Sequence, residues 1–285
     1  MEENKNSKHK LIVILGILII LITSVILYSR YVATKGLQII EDSVVDKDLP
    51  TSFNGFKIVQ FADIHYGKTT NLEDVKNVVN NINKLNPDIV IFTGDLFDKN
   101  IKVNEKEITK LKDEFAKIDA SINKYAVKGD NDYKQITDFE TIFKYANFTI
   151  LDNSNEMIYY KDTTPIKIVG TTSLLKSKID YVSAFNTFGD ENKYFTILIS
   201  HEPNIIEHVK DYDINLLFAA NSLGGLINIP FVGGVIKFDG SNNYTKGYYK
   251  VDNTQMYVNS GIGTQKYNFR LFNRPSINLY RLYNY

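Results

Sequence analysis

Apolar and polar positions change rhythm three times along the chain. From Leu11 to Ser29 the residues run LIVILGILIILITSVILYS without a charge. At about 1.5 Å rise per residue, a helix of this length nearly spans a ~30 Å hydrocarbon core. The run is apolar on every face, which favours a membrane over a place in a soluble core. It exceeds the ~7–15-residue apolar region of a cleaved signal, and no A-x-A site follows; cleavage stands as the alternative. Lys5, Lys8 and Lys10 precede the run, and Arg30 and Lys35 follow with acids close behind. The bias of positive charge predicts residues 1–10 in the cytoplasm, a single membrane crossing over 11–29 and an extracytoplasmic remainder at the cell membrane. Residues 30–52, polar and in part acidic up to Pro50, read as a juxtamembrane connector.

After Pro50 short apolar runs alternate with helical stripes. FKIVQFA (56–62), DIVIFT (88–93), KYAVK (124–128) and FTIL (148–151) have strand character. Between them lie LEDVKNVVNNINKL (72–85), NEKEITKLKDEFAKI (104–118) and DFETIFKYA (138–146). The first of these puts Leu72, Val75, Val78, Val79, Ile82 and Leu85 on one helical face. The second carries Ile108, Leu111, Phe115 and Ile118, and its Asn104 and Glu107 have capping spacing. Such β-α-β repetition predicts helices packed on a largely parallel sheet. The third rhythm begins near residue 165. PIKIVG, YFTILIS, INLLF, LINIP, GYYKV, QMYV and INLYRL are strand-like with few helices between them, which predicts a second, mixed sheet. No Pro/Gly/Ser linker divides residues 53–285, so they read as one domain.

Composition narrows the chemistry. Lys+Arg and Asp+Glu are both 33, so no broad basic face for a nucleic acid is implied. There is no cysteine, which excludes disulfides, thiol catalysis and Cys-type zinc sites. The 19 Tyr and 17 Phe are most simply core and strand residues, rather than a purely aromatic scaffold surface.

Ligands of open α/β sheets gather beyond the carboxyl ends of strands. The first strand is followed by ADIHYG, with Asp63 and His65. The second is followed by TGDLFD, with Asp95 and Asp98, and the third by VKGDNDY, with Asp130, Asn131 and Asp132. YFTILIS leads into HEP, with His201, and INLLF leads into FAANSLGGLINIP, with Asn221. Taken singly, D-x-H reads equally as a capped turn, G-D-x-x-D as a helix N-cap and GDND as a polar turn. His208, on NIIEHVK, reads as a surface or packing residue. Together these hard oxygen and imidazole groups on one edge suit a divalent metal, or two metals sharing an acid.

The ordered series resembles the calcineurin-like metallophosphoesterases, whose motifs are D-x-H, G-D-x-x-D, G-N-H-[DE], H and G-H-x-H. The resemblance runs from about residue 53 to 285 and is nearest to the membrane-anchored bacterial branch. It implies a four-layer α/β-β/α sandwich with two mixed sheets, holding two metal ions and acting on phosphomonoesters, phosphodiesters or pyrophosphates, some of them lipid-linked. It also implies that Asp63 and His65 bind the first metal, Asp95 bridges both, and His201 binds the second. Four positions depart from the pattern. Asp130 stands for a second-metal Asn, Asn131 for the histidine that protonates the leaving group, Asn221 for a second-metal His, and Leu223 for a first-metal His. Leu226 stands where a Gln often follows the Gly pair. The family's site uses five histidines; this chain has 4, of which His9 precedes the apolar run.

The remaining set, Asp63, His65, Asp95, Asp130, His201 and weakly Asn221, is oxygen-rich. It suits Mn²⁺ or Mg²⁺ better than Zn²⁺, as one or two ions. The expectation is therefore a monomeric phosphoric ester hydrolase at the membrane surface, with activity weakened at Asn131. The alternative is a non-catalytic relative that binds a phosphorylated ligand or a partner protein in the same cleft.

Overall fold

The structure, a computed structural model, describes residues 2–186, 193–265 and 267–285. Met1 of the expected cytoplasmic segment and Lys266 of the C-terminal stretch lie outside the described residues.

Helix α1 (Glu2–Leu27) continues into a π-helical turn, Tyr28–Val32. The stretch Ser7–Val32 is long and apolar enough to cross a membrane; its most apolar part is not buried in the protein, and Ser29, near its end, is. Five strands and three helices follow: β1 (Gln38–Val45), β2 (Lys57–Phe61), α2 (Leu72–Lys84), β3 (Ile89–Phe92), α3 (Glu105–Phe115), β4 (Asn123–Ala126), α4 (Ile136–Tyr145) and β5 (Thr149–Ile150). Next come β6 (Ser154–Ile158), β7 (Ile166–Gly170), a short α5 (Tyr181–Phe185), β8 (Thr196–Ile199) and β9 (Leu216–Ala219). A two-stranded hairpin, β10 (Asn228–Ile229) and β11 (Gly233–Gly234), precedes β12 (Gly247–Val251), β13 (Thr254–Val258) and β14 (Ser276–Tyr283).

Two six-stranded mixed sheets result, in the orders β1-β14-β2-β3-β4-β5 and β12-β13-β9-β8-β7-β6. In the first sheet β2 to β5 run parallel, as the β-α-β rhythm predicts. Strand β14 returns to this sheet, antiparallel to β2 and parallel to β1. The second sheet is parallel at β13-β9-β8-β7 and antiparallel at both edges.

Side-chain alternation builds the layers. In β3, Val90 and Phe92 face helices α2 to α4 while Ile89 and Ile91 face the other sheet. In β8, Ile197 and Ile199 join the inter-sheet core while Leu198 faces the outer layer of α5 and the 3₁₀ turn Pro203–His208. That outer layer is thin, so the second α layer is mostly short turns. Helix α2 opens on a capping box between Asn71 and Asp74. Helix α3 opens on Asn104, whose side chain accepts from Glu107 N at 3.0 Å and donates to its carboxylate at 2.7 Å.

One difference from the sequence expectations concerns an edge. The connector reading of residues 30–52 is corrected by β1, which pairs from Gln38↔Ser276 to Val45↔Tyr283. His208 ends the 3₁₀ turn Pro203–His208 and is exposed.

Near the site a buried glutamine ties the layers together. Gln60 Nε2 donates to Thr93 Oγ1 at 3.0 Å and to the Ala219 carbonyl at 2.9 Å, and its Oε1 accepts from Tyr280 at 2.9 Å. It fixes β2, β3, β9 and β14 in common register just where the candidate ligands emerge.

Candidate metal centre

Asp63 and His65 leave β2, Asp95 leaves β3, Asp130 and Asn131 follow β4, His201 follows β8 and Asn221 follows β9. All are buried except Asp130, whose side chain is 12 % exposed. The backbone turns sharply at these exits: Asp63, His65, Asp95 and Asn221 all have left-handed φ, from 49° to 64°. Asp and Asn tolerate this region better than most residues, and such clustering marks sites where geometry is held by the surrounding fold.

Ligand atoms of Asp63, Asp95 and His201 lie within 4.8 Å of one another. His201 Nε2 stands 3.5 Å from Asp95 Oδ2, 3.9 Å from Asp130 Oδ1 and 4.0 Å from Asp63 Oδ1. These separations are too long for good hydrogen bonds and suit ligands arranged around a shared cation. Both Asp63 carboxylate oxygens and His201 Nε2 are buried without a hydrogen-bond partner. Buried polar atoms are almost always satisfied, so these orphaned atoms are what a divalent metal would satisfy, and the residues fit one. The other His201 nitrogen, Nδ1, lies 2.7 Å from the Thr93 carbonyl. A proton on Nδ1 fixes the ring and leaves Nε2 with its lone pair toward the acids, the usual arrangement behind a metal-binding histidine.

The remaining candidates join less evenly. His65 Nε2 is 3.7 Å from Asp95 Oδ2, and its Nδ1 is unpartnered. Asn221 donates from Nδ2 to the Asp239 carbonyl at 2.6 Å, which leaves the amide oxygen as its one possible ligand atom. Asn131 turns its donors on Asp95, with the backbone N–H on Oδ1 at 3.0 Å and the side-chain amide on Oδ2. Its own Oδ1 is buried and unpartnered. Leu223 is buried at φ 50° and supplies no ligand atom; Leu226 is also buried, at φ 52°. Positive φ at leucine is uncommon and strained, so the surrounding fold holds this loop in place. Asp98 caps a turn by accepting from Asn100 N at 3.1 Å.

The motif glycines have a steric reason. A Cβ on Gly94 would lie 2.6 Å from both Gly129 N and His201 Nδ1, and one on Gly129 would lie 2.2 Å from Asp95 Oδ1. Either change would push a candidate ligand out of place.

Charge follows burial. Burial works to raise the Asp95 pKa, but His201 and His65 outweigh it and hold the carboxyl at about 2. Burial disfavours a charged His201, yet Asp95 reverses this and lifts the ring well above its ordinary value. Burial lowers His65, which favours the neutral, ligand-competent imidazole. Burial also raises Asp63 to about 8 and Asp130 to about 6, with Asp95 adding repulsion in both cases.

Three supporting residues are not evident from spacing. Asp132 accepts N–H bonds from Gly129, Asp95 and Leu96, each at 2.9 Å, and from Phe97 at 3.3 Å. It therefore shapes the loop that carries Asp95; only its place in GDND hinted at it. Arg270 is fully buried and donates to the Gly261 and Gly263 carbonyls at 3.1 and 2.6 Å. Those glycines lie against Asp63 and His65, and no local motif marks the arginine. Glu202 accepts from Ser173 Oγ and from Leu174 N at 2.9 Å, tying the loop after β7 to the residue beside His201. A separate cleft of about 750 Å³, lined by Asp46, Lys193, Lys210 and Asp213 among others, shares no residue with the cluster.

The family model for calcineurin-like phosphoesterases matches residues 56–230, more than half of the chain. The chain belongs to that family. Among curated relatives of this phosphoesterase, an uncharacterized metallophosphoesterase of Bacillus subtilis, YkuE, is 30% identical over 259 residues, covering 90% of this chain and 88% of the relative. The UDP-2,3-diacylglucosamine pyrophosphatase LpxG of Chlamydia muridarum is 24% identical over 291 residues, covering 83% of this chain and 87% of LpxG. A transmembrane protein with a metallophosphoesterase domain from Danio rerio is 24% identical, covering 92% of this chain and 61% of that protein. The phosphoesterase thus has the expected fold of two mixed sheets, an apolar helix of membrane-crossing length and hydrolases among its relatives.

Proposed function

We propose that the chain is a divalent-metal-dependent phosphoester hydrolase working at the membrane surface, and that its preferred bond is a phosphoanhydride or another with a good leaving group. The observation that carries this reading is the clustering of ligand atoms of Asp63, Asp95 and His201, with both Asp63 oxygens and His201 Nε2 buried and unpartnered.

Asp63, His65, Asp95, Asp130, His201 and the amide oxygen of Asn221 would hold the metal. The donor set favours Mn²⁺ or Mg²⁺ over Zn²⁺ because oxygens dominate it. A bound divalent ion supplies an activated water and neutralises charge on the phosphoryl group. Asp95, held ionised at about 2, is suited to lie between two ions. His201 presents Nε2 because Thr93 holds Nδ1. Asn131 positions Asp95 but cannot supply a proton at neutral pH. Loss of such an acid typically costs ~10²–10⁴-fold for a poor leaving group and much less for one that departs as a stable anion. That asymmetry supports pyrophosphate-type substrates, the class that LpxG's name specifies for that protein.

Ser7–Val32 and the charge bias around it support a single crossing with residues 1–10 in the cytoplasm and the main domain outside.

The test uses the full chain in detergent micelles. Metal content and Mn²⁺-dependent hydrolysis of an aryl phosphodiester and of an amphipathic pyrophosphate are measured beside Asp95→Asn. Metal-dependent turnover lost by at least ~10²-fold in Asp95→Asn is expected. Bound metal with no turnover of either substrate would return the protein to a binding role, and no bound metal would reject the site.

A further inference from the structure

We infer that the β10–β11 hairpin is a second membrane contact, laid against the lipid surface beside the exit of helix α1. The surrounding segment Ile227–Phe238 reads INIPFVGGVIKF and contains no acid. Its side chains Ile229, Phe231, Val232 and Val235 are exposed, Phe231 completely. Solvent-exposed apolar clusters of this kind mark interaction surfaces.

The backbone supplies the occupant. Arg270 N donates to the carbonyl of Ser29, in the last turns of the membrane-length helix, at 2.9 Å. The next residue, Leu271, donates to the Leu226 carbonyl and accepts from Asn228 N, both at 3.0 Å. Two hydrogen-bonded steps therefore connect the helix exit to the base of the hairpin. Phe272, on the same connecting segment, is exposed as well. Tyr28 and Tyr31 are exposed around Ser29, and Arg30 lies 5.7 Å from the Tyr31 ring. Aromatic and basic side chains at a helix end mark the level of the headgroups. The hairpin tip emerges beside that level, and shallow apolar insertion is how monotopic segments hold a bilayer interface.

The hairpin is also built into the candidate metal centre. It leaves directly from the loop that bears Asn221 and Leu223. The segment beyond it returns at Asp239, whose carbonyl accepts from Asn221 Nδ2 at 2.6 Å. A tip fixed in the headgroup layer fixes the height of this loop. The inference does not depend on catalysis.

The absence of native cysteine makes a direct test possible. Phe231→Cys is labelled with a polarity-sensitive fluorophore in the full chain and reconstituted in vesicles of phosphatidylethanolamine and phosphatidylglycerol. Leu18→Cys serves as the membrane reference, and Val182→Cys, on α5, as the water reference. Lipids spin-labelled near the headgroup should remove most of the emission at 231 and little at 182. Emission at 231 matching that at 182, in colour and in resistance to quenching, would overturn the inference. A blue-shifted signal at 231 that spin-labelled lipid leaves intact would also overturn it, because it would assign the tip to a second protein copy.

Discussion

Asn131 holds both carboxylate oxygens of Asp95, one through its backbone N–H at 3.0 Å and the other through its side-chain amide. The grip keeps Asp95 aimed at His201 and leaves position 131 without a proton to give. Asn131→His is therefore expected to raise turnover of alkyl phosphodiesters by about 10²-fold, with a much smaller gain for aryl phosphodiesters. The check is a plot of rate against leaving-group pKa, which should flatten in the variant. A uniform change across leaving groups would exclude the missing proton donor as the cause.

Leu223 occupies the left-handed region at φ 50° in a loop that turns toward the metal centre. Histidine is enriched there relative to branched apolar residues, so Leu223→His should fold at least as stably as the parent. It should raise Mn²⁺ affinity about tenfold or more by adding an imidazole ligand. Titration calorimetry on protein stripped of metal measures this, and unchanged affinity would show that position 223 faces away from the ions.

Asp132 satisfies four buried backbone N–H groups. Truncation in Asp132→Ala orphans them all, and each unsatisfied buried group costs about 1–3 kcal/mol before relaxation. A net loss of about 3 kcal/mol corresponds to a Tm drop of roughly 6–12 °C. Asp132→Asn, which keeps one acceptor oxygen, should lose less. Thermal unfolding of the detergent-solubilised chain at fixed pH distinguishes the two.

The stripped protein should lose stability as pH rises from about 4 to 8. Burial holds the folded pKa of Asp130 at about 6, Asp132 at about 7 and Asp63 at about 8, all above the unfolded value near 3.8. The folded state then keeps protons that the unfolded state has released, so its advantage is full below pH ~4 and is lost through pH 6–8. Divalent metal competes with those protons. The gain in Tm on adding Mn²⁺ should therefore be larger at pH 8 than at pH 5, and an equal gain at both would argue against proton–metal competition at these acids.

Much of this arrangement can be read directly from the chain. Helices α2 and α3 follow from their apolar stripes, and the start of α3 also from the capping spacing of Asn104 and Glu107. The candidate ligands follow from polar residues placed just past apolar strands. Strand β1 escapes the pattern because QIIEDSVV forms an edge, half exposed and partly acidic, with no uniform apolar run. Strand β6, SNEMI, escapes for the same reason. INLYRL reads as a strand, but its return to lie between β1 and β2 depends on pairings more than 200 residues apart in sequence. Arg270 and Asp132 work through contacts made only after folding, and no local spacing encodes those. The resemblance sets Asn131 opposite a family histidine, but the direction of its amide is not encoded in the sequence.

Strand β1 follows the apolar N-terminal helix and its π-helical turn after only residues 33–37 and then pairs along its full length with β14, at one edge of the chain's first sheet. With that helix in a bilayer, as proposed, the anchor is a rigid mount rather than a leash. A catalytic domain mounted this way has little freedom to sweep the solution above the bilayer. Its encounters would be governed by lateral diffusion of molecules already in the membrane plane, and its working concentration would be counted per unit area.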